Sequence, residues 1–291
     1  MKRILFIIFL TIPFIGVGQV WEHIYGDGNE YGYSIKQTLD GGYIISGRES
    51  DSGIKLIKID VNGIKIWEKN YGPLYVESYV QQTTDGGYIV CGGNSLIKTN
   101  NNGDTLWTKT LSSICNLYSV QQTSDGGYIV VGYTSSNGGD ISDGNNGQSD
   151  YWVVKLDNAG NKIWDKTLGG SDLEKAYSIQ QTFDEGFIIA GNSRSQDGDL
   201  RFNNGQADYW IVKLDSLGNK IWDKTYGGDK DDIAEGIIES EDNTFVIVAG
   251  TFSYGKGGDV LLMKINSDGE EIWQYNYGGE KLDKLREYDG N

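Results

Sequence analysis

Two stretches concentrate the side chains able to do chemistry. "SSNGGDISDGNNGQSD" (Ser135–Asp150) and "SRSQDGDLRFNNGQAD" (Ser193–Asp208) are alike in length and composition, and "SYGKGGD" (Ser253–Asp259) is a shorter relative. Asp140, Asp143, Asn145 and Asn146 in the first, and Asp197, Asp199, Asn203 and Asn204 in the second, offer hard oxygen ligands of the kind Ca2+ takes, with Gly allowing sharp wrapping. Their spacing does not match a helix-flanked calcium loop, and ordinary polar turns account for the same residues. Tyr133 just before the first stretch, with Phe202 and Tyr254 inside the other two, could stack on a sugar or peptide, or pack locally.

Other chemistries find little support. His23 is the only histidine, so zinc sites of the usual His and Cys spacings are excluded, as is a Ser-His-Asp triad not served by His23. Two acids at suitable separation could hydrolyse a glycosidic bond, but 41 Asp and Glu residues give no means of choosing a pair. No cofactor is expected, with Ca2+ as the one ligand ion the residues suggest. Cys91 occupies a slot filled elsewhere by Ser46, Val131 and Ala190, which reads as a small core residue, and Cys115 lies in the next connection. A strand and a loop need not bring their Cβ atoms within disulfide range, so pairing stays open.

The elements that position these loops are set by a repeat. "QQTSDGGYIVVG" from Gln121 recurs as "KQTLDGGYIISG" from Lys36, "QQTTDGGYIVCG" from Gln81 and "QQTFDEGFIIAG" from Gln180. In a fifth copy, "ESEDNTFVIVAG", Asn243 and Thr244 stand at the glycine positions, and one extra residue precedes Gly250. A catalytic phrase should not tolerate such exchanges, whereas a hairpin can, because Asn accepts positive φ and a bulge absorbs an insertion. The phrase therefore reads as framework. Trp21, Trp67, Trp107, Trp164, Trp222 and Trp273 recur every 40 to 58 residues, and Trp152 and Trp210 fill a second slot. A period of that length without helical patterning predicts a four-stranded unit repeated radially, an all-β propeller. In the unit from Tyr177, "YSIQQT" is strand A, "FIIAGNS" strand B, "DYWIVKLD" strand C and "KIWDKTYGG" strand D, with the long acidic stretch as the B–C loop.

The C–D turns "DVNGIKIW", "NNNGDTLW", "DNAGNKIW", "DSLGNKIW" and "NSDGEEIW" place Asp or Asn, Gly and Trp at fixed offsets. This hairpin resembles the tryptophan-docking element of quinoprotein-like β-propellers, "D-x-x-T-G-x-x-x-W". It departs from that pattern in lacking the Thr and in a one-residue-shorter interval between Asp and Gly. The resemblance implies the fold; motifs for the catalytic acids and ring-stacking residue of quinone enzymes do not occur. Runs such as "YSVQQTSDGGYIVVG" and "DYWVVKLDNAGNKIW" also resemble the secreted repeat proteins of Bacteroidetes-type bacteria, which implies export and a propeller fold without a known activity.

Five A–B–C sets are countable, giving blades near 33–70, 78–110, 117–168, 175–226 and 233–277, while the D phrase occurs six times because "QVWEHIY" precedes the first set. That extra N-terminal strand is either a latch on a five-bladed ring or part of a larger propeller, and "GGEKLDKLREYDGN", which begins like the linker "GGSDLEKAYS" and then loses the pattern, leaves a truncated or frameshifted sixth blade as one open reading. Residues 1–18 carry Lys2 and Arg3, an apolar run and small residues at Gly16 and Gly18, the order of a secretory signal cleaved near Gly18, with an uncleaved membrane anchor as the alternative reading. The expected address is secreted, cell-surface or periplasmic, with residues 19–291 as one repeat domain and no membrane span in the mature chain. The formal charge of −16 disfavours nucleic acid as a partner. The reading is an exported, non-enzymatic binding or surface-interaction module for a glycan or extracellular protein. Its alternatives are a secreted polysaccharide hydrolase with unidentified carboxylates and a fragment of a larger secreted propeller.

Overall fold

In the computed structural model the described residues are 22–26, 30–49, 53–72, 76–111, 114–200, 203–255 and 258–279. Twenty strands form five four-stranded antiparallel meanders. Sheet 1 holds β1 (Glu30–Gln37), β2 (Tyr43–Glu49), β3 (Gly53–Ile59) and β4 (Lys65–Tyr71); sheet 2 holds β5 (Ser78–Gln82), β6 (Tyr88–Gly92), β7 (Ser95–Thr99) and β8 (Thr105–Thr110). Sheet 3 is β9 (Cys115–Gln122), β10 (Tyr128–Thr134), β11 (Asp150–Leu156) and β12 (Lys162–Leu168). Sheet 4 is β13 (Glu174–Gln181), β14 (Phe187–Ser193), β15 (Asp208–Leu214) and β16 (Lys220–Tyr226). Sheet 5 is β17 (Asp232–Glu239), β18 (Phe245–Thr251), β19 (Asp259–Ile265) and β20 (Glu271–Tyr277). The first strands of successive sheets pack against each other and the fourth strands do so at most slightly, so A is innermost and D lies at the rim. This is the β-propeller that the repeat predicts.

The repeated phrase has a mechanical explanation. In the A–B hairpins of sheets 1 to 4 the aspartate takes the amide of the second glycine position and a lysine from strand C: Asp40 with Lys58, Asp85 with Lys98, Asp125 with Lys155 and Asp184 with Lys213, at Nζ–O distances of 2.8–2.9 Å. The lysines are buried and the acids half in water, so the pair closes the hairpin over the strand C stem. The glutamines join neighbouring blades. Gln81, Gln121 and Gln180 accept the amides of Gln122, Gln181 and Glu239 in the next blade, at 2.6–2.8 Å. Glu185 and Asn243 have φ of 64° and 58°, so two non-glycine residues adopt the hairpin's left-handed conformation. The fifth copy needs no inserted residue, contrary to the sequence reading. Ala249 rather than Gly250 pairs with Ala234, as Gly191 pairs with Ala176, so β18 keeps the register of β14.

Tryptophans of strand D dock on the following blade. Trp67, Trp107, Trp164 and Trp222 stand edge-on to Tyr88, Tyr128, Phe187 and Phe245, with centroids 5.7–6.4 Å apart. The same rings lie 2.9–3.1 Å from where a Cβ would stand on Gly103, Gly160, Gly218 and Gly269 of the next C–D turn. Gly218→Ala is therefore expected to cost about 1–3 kcal/mol in urea unfolding, from positive φ (+82°) and displacement of Trp164 together. An unchanged midpoint would remove docking as the reason for that glycine.

Four apolar clusters join sheets 1 and 2, 2 and 3, 3 and 4, and 4 and 5. Among the described residues no such cluster joins sheet 5 to sheet 1, and β18 and β19 alternate buried with half-buried residues where β14 and β15 are wholly buried. Residues 22–26, the described part of the expected N-terminal strand, form no ladder. The Tyr25 hydroxyl donates to the Gly63 carbonyl, as Tyr71 does to Gly103 and Tyr226 to Gly269, so this segment lies on sheet 1 as a strand D lies on the blade after it. His23 is exposed and touches the Asn62 carbonyl oxygen at 3.2 Å. Cys91 and Cys115 are not disulfide-bonded; both are buried in the cluster of sheets 2 and 3, where burial pushes the Cys115 thiol up to about 12 and the Cys91 thiol higher. No helix among the described residues is long and apolar enough to cross a membrane.

Candidate functional site

The three B–C loops and the D–A connections emerge at one end of the propeller, because every blade is a plain meander. In the first two loops the second asparagine of "NNG" donates its amide to the aspartate that opens strand C: Asn146 to Asp150 at 2.8 Å, Asn204 to Asp208 at 2.5 Å. The preceding asparagines, Asn145 and Asn203, accept the Gly147 and Gly205 amides at 3.0 and 3.1 Å, the local bonding of an Asx turn. These two side chains shape the loops. Asp143 pairs with Lys166 at 3.3 Å, and Asp140 receives the Lys162 ammonium on its backbone carbonyl.

The structure brings three of the predicted residues together. Asn146 from the sheet 3 loop, Asp197 and Asp199 from the sheet 4 loop, and Gly170, Ser171 and Gly198 line a cleft of about 310 Å³ at the junction of the two blades. Asp197 accepts the Ser171 amide at 2.8 Å, and Asp199 accepts the Gly169 amide at 3.1 Å and the Lys220 ammonium at 3.1 Å. Asp140, Asp143, Asn145, Asn203 and Asn204 do not line it. Among the described residues no three Asp, Glu, His or Cys side chains are grouped so as to hold a metal ion.

Toward the axis, at the same end, lies a group of tyrosines. Tyr118 is 5.1 Å from Tyr177, 5.9 Å from Tyr133 and 6.3 Å from Tyr79, centroid to centroid. Asn116 donates to the Tyr133 hydroxyl at 2.6 Å, and the Lys175 ammonium stands 5.3 Å over the Tyr133 ring. Burial, helped by Arg194, holds the Lys175 pKa below its ordinary value. Tyr118 and Tyr177 are extra residues at β-bulges of the innermost strands, a device that turns a side chain out of the ladder. Sequence reasoning singled out Tyr133 and missed these partners, although "LYSV" and "AYSI" repeat the tyrosine in one slot. Tyr254 is placed differently: its hydroxyl donates to the Gly227 carbonyl at 2.9 Å and its ring packs on the core of sheets 4 and 5. Phe202 lies outside the described residues.

Beneath the cleft, Asp150 and Glu174 are wholly buried on either side of Gly169, and Asp208 and Asp232 repeat the arrangement around Gly227. Burial pushes the Asp150 and Asp208 carboxyls up to about 6, with the neighbouring acids Glu174 and Asp199, and Asp232, adding to the effect.

No protein-family model matches the sequence, and no curated protein matches it. Solved structures do. A protein of unknown function from Bacteroides caccae is 17% identical, with a TM-score of 0.58 over 88% of this chain and 85% of that one. A puromycin hydrolase is 8% identical with a TM-score of 0.51, covering 83% of this chain and 38% of the other. Sqt1 from Chaetomium thermophilum is 10% identical with a TM-score of 0.50, covering 82% and 57%. At these identities the likeness is one of fold, shared by proteins of different functions.

Proposed function

We infer that this chain is an exported propeller that binds a glycan on its loop-bearing end, with sheets 3 and 4 supplying the contacts. The observation that carries the reading is the convergence of Asn146, Asp197 and Asp199 from two blades on one polar cleft. Carboxylate and amide oxygens accept hydrogen bonds from sugar hydroxyls, and the tyrosines around Tyr133 give a stacking face at the same end. Export rests on the charged and apolar order of residues 1–18, and the acidic surface suits a neutral or basic ligand.

A hydrolase would need an acid pair that meets its substrate. Asp150 and Glu174 have the proximity such chemistry uses, but both are 0% exposed, so no sugar reaches them in this conformation. Screening the purified protein on a glycan panel, with reducing-sugar release followed in parallel, separates the readings. Saturable binding without turnover is expected. Turnover would favour the hydrolase, and absence of any glycan binding would sink the proposal.

A further inference from the structure

The hairpin aspartates and the junction aspartates are treated oppositely. Each of the four hairpin acids in sheets 1 to 4 meets a lysine, whereas Asp150 faces Glu174 and Asp199, and Asp208 faces Asp232. Glu174 is already bonded: it accepts the Ser193 hydroxyl at 2.6 Å, the Ser195 amide at 3.3 Å and the Gly170 amide at 2.8 Å. Asp232 accepts the Thr251 and Ser253 hydroxyls, both at 2.5 Å, and the Gly228 amide at 2.8 Å. Asp150 and Asp208 differ. Each accepts one backbone amide on Oδ2, from Asn146 and Asn204, and each has a buried Oδ1 without a hydrogen-bond partner among the described residues.

The unpartnered oxygens point at the partner acids. Asp150 Oδ1 and Glu174 Oε2 lie 2.5 and 2.6 Å from where a Cβ would stand on Gly169, so they are at most about 5 Å apart, a span one Ca2+ bridges with two bonds of roughly 2.3–2.6 Å. Asp208 Oδ1 and Asp232 Oδ2 stand 2.2 and 3.0 Å from the corresponding point on Gly227. In both places the glycine lets the two carboxylates close in on the point where any other residue would carry its Cβ. Asp259 is the third copy, with the same unpartnered Oδ1 beside Gly278. An orphaned buried oxygen repeated at one position of three blades is a feature of the repeat, not an accident of one loop.

We propose that the Asp150–Glu174 and Asp208–Asp232 junctions are Ca2+ sites that tie blade 3 to blade 4 and blade 4 to blade 5. Two carboxylates supply the charge at each, and backbone carbonyls and water complete the shell of a hard cation. Protons compete for the same oxygens, so binding belongs to neutral pH and fades in acid. The residues differ from the loop acids Asp140, Asp143 and Asp197, and the proposal is independent of any glycan.

The test is calorimetric titration of the chelator-treated protein with CaCl2 at pH 7.5, with melting followed at pH 7.5 and pH 4.5. About two ions per chain are expected, with a melting rise of roughly 5 °C or more at pH 7.5 that disappears at pH 4.5. Asp150→Asn and Asp208→Asn should each remove one ion, and the double variant should melt in chelator no lower than the parent, which separates lost binding from failed folding. Absence of heat and of a melting shift in the parent would overturn the proposal. So would a calcium response that survives in the double variant and is lost in an Asp140→Asn, Asp197→Asn variant.

Discussion

Trp210→Ala is expected to destabilise the propeller by about 3–5 kcal/mol, measured as a shift of the urea midpoint at constant slope. Trp210 is 0% exposed in the cluster shared by sheets 3 and 4, stands 4.5 Å from the Tyr151 ring, and donates its indole N–H to Asp223 at 3.2 Å. Its backbone carbonyl accepts the Tyr151 hydroxyl from the neighbouring blade at 2.9 Å. Truncation leaves a cavity at a blade interface and Asp223 without its indole donor. That is a large part of the 5–15 kcal/mol that holds an ordinary domain together. Trp222→Ala is the comparison: its ring is half-exposed at the rim, so its cost should be clearly smaller. Equal losses would mean that the blades are not held mainly through their inner faces.

The second large effect is on pH. A carboxyl lifted from its ordinary value near 4 to about 6 binds a proton in the folded chain that the unfolded chain has released. Its stabilising protonation is complete below about pH 4, lost as pH rises to about 6, and above that Asp150 and Asp208 each cost roughly 2–3 kcal/mol. Asp40, Asp125 and Asp242 act in the opposite direction. Hydrogen bonds from their hairpin threonines and from the strand C lysines, working against burial at Asp125, hold them at about 2, so their contribution is present above pH 4 and falls away toward pH 2. Without divalent cations, stability should peak near pH 4–5 and decline toward neutrality, and Asp150→Asn with Asp208→Asn should flatten the neutral limb. A melting curve that rises steadily from pH 4 to pH 7 in chelator would contradict the burial of the junction acids.

Much of the architecture was legible because the repeat writes it five times. Strands B, C and D of the unit from Tyr177 are visible in the sequence by alternation and by the turn glycines, and they correspond to β14, β15 and β16. Strand A was read too short. Its alternation breaks at Tyr177, the extra residue of a bulge, and β13 runs on to Glu174 behind it. The role of the Gln-Gln dyad is not legible in the sequence, since bonds from a side chain to a neighbouring blade's backbone leave no period in one chain.

The site was legible only in part. Composition singled out the acidic loops, but the division of labour within them depends on which oxygen meets which amide. Asn145 and Asn203 became turn formers, whereas Asp197 and Asp199 reached across a blade boundary that spacing cannot reveal. Glu174 and Asp232 escaped notice because a strand-opening acid reads as solvated. Only the packing of one blade on the next buries them against Asp150 and Asp208.

The central claim is that the repeated phrase is framework and that the ligand is taken by the variable loops of sheets 3 and 4. Its most direct test is titration of the glycan found by the panel into two proteins: the parent, and a variant whose Arg194–Ala207 loop is replaced by the shorter Phe252–Gly258 loop of sheet 5. The account predicts at least a tenfold loss of affinity in the variant, with its far-ultraviolet spectrum retained. Unchanged affinity in a folded variant would place the binding site elsewhere on the propeller and contradict it.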